Sequence, residues 1–127
     1  MSDSKSTITG RMENGTLVIH IALEQIRDAL QTYALRDEMQ ALVEASQPRD
    51  VIVDLADVKF IGSVGFLAFL SVRRQLAVGR IILANLSENL HKMFALCRLV
   101  PTEKASVAPF EVAADVDAAL ARCRASS

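Results

Sequence analysis

The sequence predicts an α/β fold built on a mixed, largely parallel sheet, and three observations predict it. Two short runs, DVIVDL and RIILANL, are almost continuously apolar, the composition of strands buried on both faces. Stretches with apolar residues at helical spacing separate them from each other and from their neighbours. The resulting order, β-β-α-β-α-β-α-β-α, alternates in the way that calls for right-handed crossovers between parallel strands. Four or five strands and four or five helices fit into 127 residues, a length that suits one compact domain.

Each element has its own local reason. TITGRMENGTLVIHIAL reads as a hairpin, because Asn14-Gly15 tolerates positive φ at both turn positions. Thr16 to Ala22 is its second strand, rich in β-branched residues. EQIRDALQ fits either a short edge segment or the approach to a helix. From Thr32, a candidate N-cap, to Ser46 the residues Leu35, Met39, Leu42 and Val43 form one helical stripe, stopped by Pro48. DVIVDL follows, then a helix from about Val64 to Ala77 with Gly79 as its C-terminal cap. RIILANL is the next strand. Ser87 caps ENLHKMFALCRL, which ends before Pro101. SVAPFEV predicts a short strand and ADVDAALARC a last helix, with Val116, Ala119, Leu120 and Cys123 on one side. Residues 1–7 and 125–127 are expected to fray.

Composition excludes several functions. The formal net charge is -1, without the concentrated basic face that nucleic acid needs. Cys97 and Cys123 form no C-x-x-C pair and predict two half-buried thiols in a reducing compartment. His20 falls inside a strand pattern and His91 inside a helix pattern, neither with a ligand cluster, so no metal or other cofactor is expected. MSDSKSTITG has no apolar signal core and no run is long enough to span a membrane, which predicts a cytoplasmic protein.

The informative stretch is Gly62-Ser63-Val64-Gly65, a serine between two glycines where a strand gives way to a helix. Structurally, the Ser63 hydroxyl is a natural N-cap for the Phe66 amide, worth about 1 kcal/mol. A helix N-terminus also suits phosphate or a nucleotide, although neither G-x-x-x-x-G-K-[ST] nor G-x-G-x-x-G is present. A nucleophilic serine would need His20 or His91 as base, and neither is predicted at the carboxyl end of a strand, so no catalytic residue is assigned. As a substrate, Ser63 could take up a phosphate whose charge would repel a docked partner. In the helix that follows, Phe66, Phe69, Leu70 and Leu76 share a face toward the sheet. Leu67 points elsewhere, near Val64 and Ser71, and adds apolar surface beside the serine. Arg73 and Arg74 are expected on a solvated face.

The run VIVDLADVKFIGSVGFLAFLSVRRQLAVGRIILANLSENLHKMFALCRL resembles the STAS domain, and the likeness extends over roughly Thr16 to Leu99. The family's marks are an apolar strand ending in Asp, then Asp-Ser-Ser/Thr-Gly opening a helix, a second strand and a Leu-ended helix. The resemblance implies one STAS domain over residues 1–127, with no catalysis of its own. It implies a protein partner: in the antagonist branch, an anti-sigma factor that is also a serine kinase of histidine-kinase-like ATPase fold. By position, Ser63 matches the phosphorylated serine and Gly65 the family glycine. Gly62 stands where the signature has Asp, Val64 where it has a second hydroxyl, and G-x-L-D after the first long strand is absent. Docking is therefore supported more strongly than phosphate switching. The implied docking surface is the loop Phe60 to Gly65 with the first two turns of its helix, including Gly62, Ser63, Val64, Gly65, Leu67 and Ser71. Arg27, Asp28 and Thr32 lie beside it. A nucleotide- or small-ligand-binding domain using the Gly62–Gly65 turn is the reading from another class. A non-phosphorylated subunit of a transporter or signalling complex is a further one.

Overall fold

The computed structural model describes residues 7–76 and 78–125. A five-stranded sheet runs in the order β1 (Ile8–Glu13), β2 (Thr16–Ile21), β4 (Asp50–Asp54), β6 (Ile81–Ala84), β7 (Glu111–Ala113). Only the β1–β2 hairpin is antiparallel; the remaining pairs are parallel. Asn14 and Gly15 both carry positive φ at the hairpin turn, as the dipeptide predicts. Among the described residues four α-helices flank the sheet: α1 (Ala29–Ser46), α2 (Phe66–Gln75), α3 (Glu88–Leu96) and α4 (Val116–Ala125).

Strand alternation divides the core in two. Leu17, Ile19, Ile21, Val51, Val53, Ile81 and Leu83 face α1, α2 and α3. Val18, Ile52, Ile82, Ala84 and Ala113 face α4 through Ala119, Leu120 and Cys123. Both sides of β4 and β6 are thus covered, which is why their sequences are continuously apolar rather than alternating. The predicted α1 stripe is buried at Leu35, Met39 and Val43, with Leu42 packed at its margin.

Several boundaries differ from expectation. α1 begins at Ala29, not Thr32: Asp28 sits in extended backbone and its carboxylate accepts from the Gln31 N–H at 2.8 Å. The Gln31 side chain returns the contact by accepting from the Arg27 N–H at 2.8 Å. Thr32 is instead inside the helix, fully buried, with its Oγ1 unpartnered. Removing the exposed Asp28 cap (Asp28→Ala) is expected to cost about 1 kcal/mol, read as a lower midpoint in urea unfolding with an unchanged m-value.

α2 ends at Gln75 with Leu76 as its cap, and Ala77 lies outside the described residues. Gly79 is not that cap. It occupies the turn into β6 at φ +120°, where a Cβ would run into the Arg49 carbonyl oxygen. Arg73 is not on a solvated face either: its guanidinium donates to the carbonyls of Leu76 (2.5 Å), Gly79 (3.0 Å) and Pro109 (3.3 Å), closing the helix end. Ser87 caps α3, accepting from the Leu90 N–H at 3.1 Å. The strand expected from SVAPFEV is confined to Glu111–Ala113, because only Glu111, Val112 and Ala113 pair with β6. α4 starts at Val116, capped by Asp115 through the Ala118 N–H at 2.8 Å, and presents the expected side to the sheet.

Cys97 is exposed and Cys123 buried, rather than both half-buried. Thr7 and Ala125 are ordered into the fold, Thr7 by its carbonyl to the Ala22 N–H and Ala125 as the last residue of α4. The other terminal residues expected to fray lie outside the described ones.

Candidate docking turn at Ser63

Two short strands that periodicity could not reveal place the turn. β3 (Gln25–Ile26) and β5 (Phe60–Ile61) pair in parallel, with Gln25 opposite Phe60 and Ile26 opposite Ile61. The Lys59 N–H donates to the Glu24 carbonyl and the Gly62 N–H to the Ile26 carbonyl, each at 2.7 Å. EQIRDALQ is therefore both things its composition allowed: an edge segment, then the approach to a helix. Both paired strands lead into helical turns, and α1 packs against the Ser63 turn.

Ser63–Gly65 is one turn of 3-10 helix preceding α2, closed by the Gly65 N–H donating to the Gly62 carbonyl at 2.8 Å. No side chain caps this turn or α2, so the predicted N-cap bond from Ser63 to the Phe66 amide is not made. The inserted 3-10 turn separates the serine from the start of the α-helix. Ser63 is left exposed, with Gly62 and Val64 half-buried on either side.

Not every predicted contact residue reaches this surface. Leu67 is 48 % exposed, one turn into α2, and Ser71 follows half-buried with its hydroxyl donating to the Leu67 carbonyl. Arg27 and Asp28 are exposed beside Gly62, and the Arg27 guanidinium lies 4.8 Å from the Phe60 ring centroid. Gly65 and Thr32 are corrected: both are buried, and neither offers a partner a direct contact. Gly65 acts from beneath, letting the turn settle on Ile26 and Ile61.

The sequence reading missed Leu30 and Tyr33, exposed by 83 % and 43 % in the first turns of α1. Their signal was present, since both fall off the Leu35–Met39–Val43 stripe. Together with Leu67 they leave three large apolar side chains exposed in the opening turns of two helices that pack together. His20 was also misplaced. It is the penultimate residue of β2, opposite Asp54 at the carboxyl end of the parallel β2–β4 pair. Burial and the nearby Asp50 carboxylate push the Cys123 thiol up, so it packs as a protonated thiol. Among the described residues no helix is long and apolar enough to cross a membrane, and no group of three or more His, Cys, Asp or Glu could hold a metal ion.

A largely parallel sheet with three helices on one face, one on the other, and an exposed serine turn heading the second helix agrees with the expected STAS architecture. The STAS domain family model matches residues 12–119, and the chain belongs to that family. Among solved structures, an anti-sigma factor antagonist from Mycobacterium paratuberculosis is 24% identical with a TM-score of 0.74, covering 93% of each chain. The anti-sigma factor antagonist SpoIIAA in its unphosphorylated form is 22% identical with a TM-score of 0.64, covering 92% of this chain and 97% of that one. The phosphorylated form of the Bacillus cell fate determinant SpoIIAA is 21% identical with a TM-score of 0.63, covering 91% and 97%. At these identities the likeness is one of fold. No curated protein sequence matches the chain.

Proposed function

We propose that this chain is a non-enzymatic cytoplasmic regulator of the anti-sigma factor antagonist kind. It docks a protein partner, a kinase-type anti-sigma factor of histidine-kinase-like ATPase fold, through the Ser63 turn and the first turns of α1 and α2. Ser63 is the phosphoacceptor in this reading.

The observation that carries it is an exposed, uncapped serine on a turn fixed from below, with Leu67 exposed at the start of α2 and Leu30 and Tyr33 exposed in the opening turns of α1, the helix that packs against that turn. An apolar surface of this kind supplies binding energy by burial, and a hydroxyl at its edge supplies a point of control. A phosphate there adds a charge of about -1.5 to -2, which must be desolvated wherever a partner covers it. The fold shared with an antagonist known in phosphorylated and unphosphorylated forms supports the same reading. Gly62 in place of the family's Asp leaves the serine without a carboxylate immediately before it.

The test uses the purified chain, the ATPase-type kinase of a neighbouring gene, and ATP. The expected result is one phosphate on Ser63 by mass spectrometry, none on Ser63→Ala, and binding to the kinase weakened at least about tenfold by Ser63→Glu, or about 1.4 kcal/mol. Leu67→Glu is expected to weaken binding similarly without lowering folding stability. Binding that ignores both acidic substitutions would reject the surface; binding that responds while Ser63 stays unlabelled would reject the phosphoacceptor and leave a plain scaffold. Nucleotide bound by the isolated chain and lost with the turn would favour the ligand-binding alternative.

A further inference from the structure

We infer that His20 is a protonation latch: as an imidazolium it clasps Asp54 and Asp57, and on losing its proton it releases Asp57 and the tip of the β4–β5 connection. The geometry is specific. Nδ1 of His20 lies 3.1 Å from one carboxylate oxygen of Asp54, and Nε2 lies 2.9 Å from one of Asp57. Ionised carboxylates only accept hydrogen bonds, so both contacts are made only when both ring nitrogens carry hydrogen. The neutral ring has one N–H and must face one carboxylate with a lone pair.

Which contact fails follows from how each carboxylate is otherwise held. The second oxygen of Asp54 accepts from the Asn85 side-chain amide at 2.9 Å and from the Ala56 N–H at 3.1 Å, and Asp54 is largely buried. Asp57 is 57 % exposed on the loop tip. The neutral ring therefore keeps Asp54 and lets Asp57 go. Outside the Leu55–Val58 turn the connection stays anchored, by buried Leu55 at one end and the Lys59 N–H bond to Glu24 at the other.

The electrostatics agree in direction. The hydrogen bond to Asp54 raises the His20 pKa, partial burial opposes it, the Asp57 bond adds to the rise, and the net value lies above the usual 6.5. For Asp54, burial alone would raise the pKa, but the bonds from Asn85, His20 and the Ala56 N–H outweigh it, and the net shift is downward. β1 places Thr9 opposite His20, with Arg11 one step along the same face and paired to Glu13 at 2.8 Å. α4, on this side of the sheet, turns Ala119, Leu120 and Cys123 toward it, while Asp115 caps its own helix and Asp117 is exposed in the first turn. Lys59 lies exposed beyond Asp57 in the loop.

The sign is fixed by linkage. A histidine whose folded pKa is raised contributes stability that is fully present below about 6.5 and disappears as pH rises through the folded value. The latch is closed in acid and opens toward alkaline pH. It clasps the segment leading into β5 and the Ser63 turn, but it stands whether or not Ser63 is a docking site.

The test is an NMR titration of the full chain over roughly pH 5–9, following the His20 ring and the exchange protection of the Val58 amide, which bonds to the Leu55 carbonyl. The His20 pKa is expected above 6.5 and shifted down in Asp57→Asn, whose exposed site leaves folding intact. After correction for intrinsic exchange, Val58 protection is expected to fall as His20 deprotonates, and to be low and flat in His20→Gln. A His20 pKa at or below 6.5, no response to Asp57→Asn, or Val58 protection unchanged through the titration would each overturn the latch.

Discussion

Phe94→Ala is expected to cost about 3–5 kcal/mol of folding stability, a large share of the roughly 5–15 kcal/mol that a domain commonly has. Phe94 is fully buried on α3, and three other rings meet it edge-on: Phe66 at 4.8 Å, Phe69 at 5.8 Å and Phe110 at 6.4 Å between centroids. Phe66 and Phe69 belong to α2, and Phe110 closes the long connection before β7. One side chain therefore joins three segments distant in sequence, and alanine leaves a cavity all three border. Each edge-to-face pair also carries about 0.5–1.5 kcal/mol beyond its buried area. Urea unfolding reads the loss directly. Because Phe66 is the first residue of α2, faster amide exchange at its N–H is expected alongside. A loss below about 1 kcal/mol would mean that the neighbouring rings close the gap, a collapse that the rigid strand floor beneath them opposes.

The sheet was legible because its information is local. β4 and β6 announce themselves by unbroken apolar composition, the hairpin by Asn14-Gly15, and α1 by Leu35, Met39 and Val43. Ser87 was readable as a cap because the helical pattern of ENLHKMFAL begins directly after it. The cap of α1 was not readable: Asp28 holds the place expected for Thr32, because Thr32 is buried inside the helix, a tertiary fact. Gly79 looked like a helix terminator, but its role is set by the carbonyl of Arg49, thirty positions earlier. The β3–β5 ladder is two residues long, too short for any period to register, yet it joins Ile26 to Ile61 and brings Arg27 to the edge of the serine turn.

The candidate site divides along the same line. That Ser63 stands at a strand-to-helix junction was readable from Gly62-Ser63-Val64-Gly65. That its hydroxyl stays uncapped was not, because it depends on one 3-10 turn intervening before α2. His20 was set aside for want of nearby ligands in sequence. Parallel register brings Asp54 opposite it across thirty-four positions, and the loop then folds Asp57 back onto its other nitrogen.

Gly65→Val is expected to cost about 3 kcal/mol, the upper range for overpacking a filled core, and to lift the Ser63 turn off its support. Backbone strain is not the reason: Gly65 has φ -62° and ψ -28°, open to any residue. The reason is space. A Cβ at this position would lie 2.7 Å from Cγ2 of Ile61 and 3.0 Å from Cγ2 of Ile26, two fully buried side chains from the paired strands beneath. Neither is a flexible tip that swings aside, so the turn itself must move, carrying Ser63 with it. Gly62→Ala is the contrast. Its Cβ would have one tight neighbour, the Arg27 carbonyl oxygen at 3.3 Å, with Arg27 Cα and the Ile26 carbonyl oxygen at an ordinary 3.6 Å, and a cost below about 1 kcal/mol is expected. The decisive measurement is a double-mutant cycle with Ile61→Ala, which removes the offending Cγ2. The pair is expected to be less destabilised than the sum of the single changes, with a coupling of about 0.5–3 kcal/mol. Strict additivity would mean that Ile61 is not what excludes a side chain here, and that the glycine answers to something other than the close seating of the serine turn on β3 and β5.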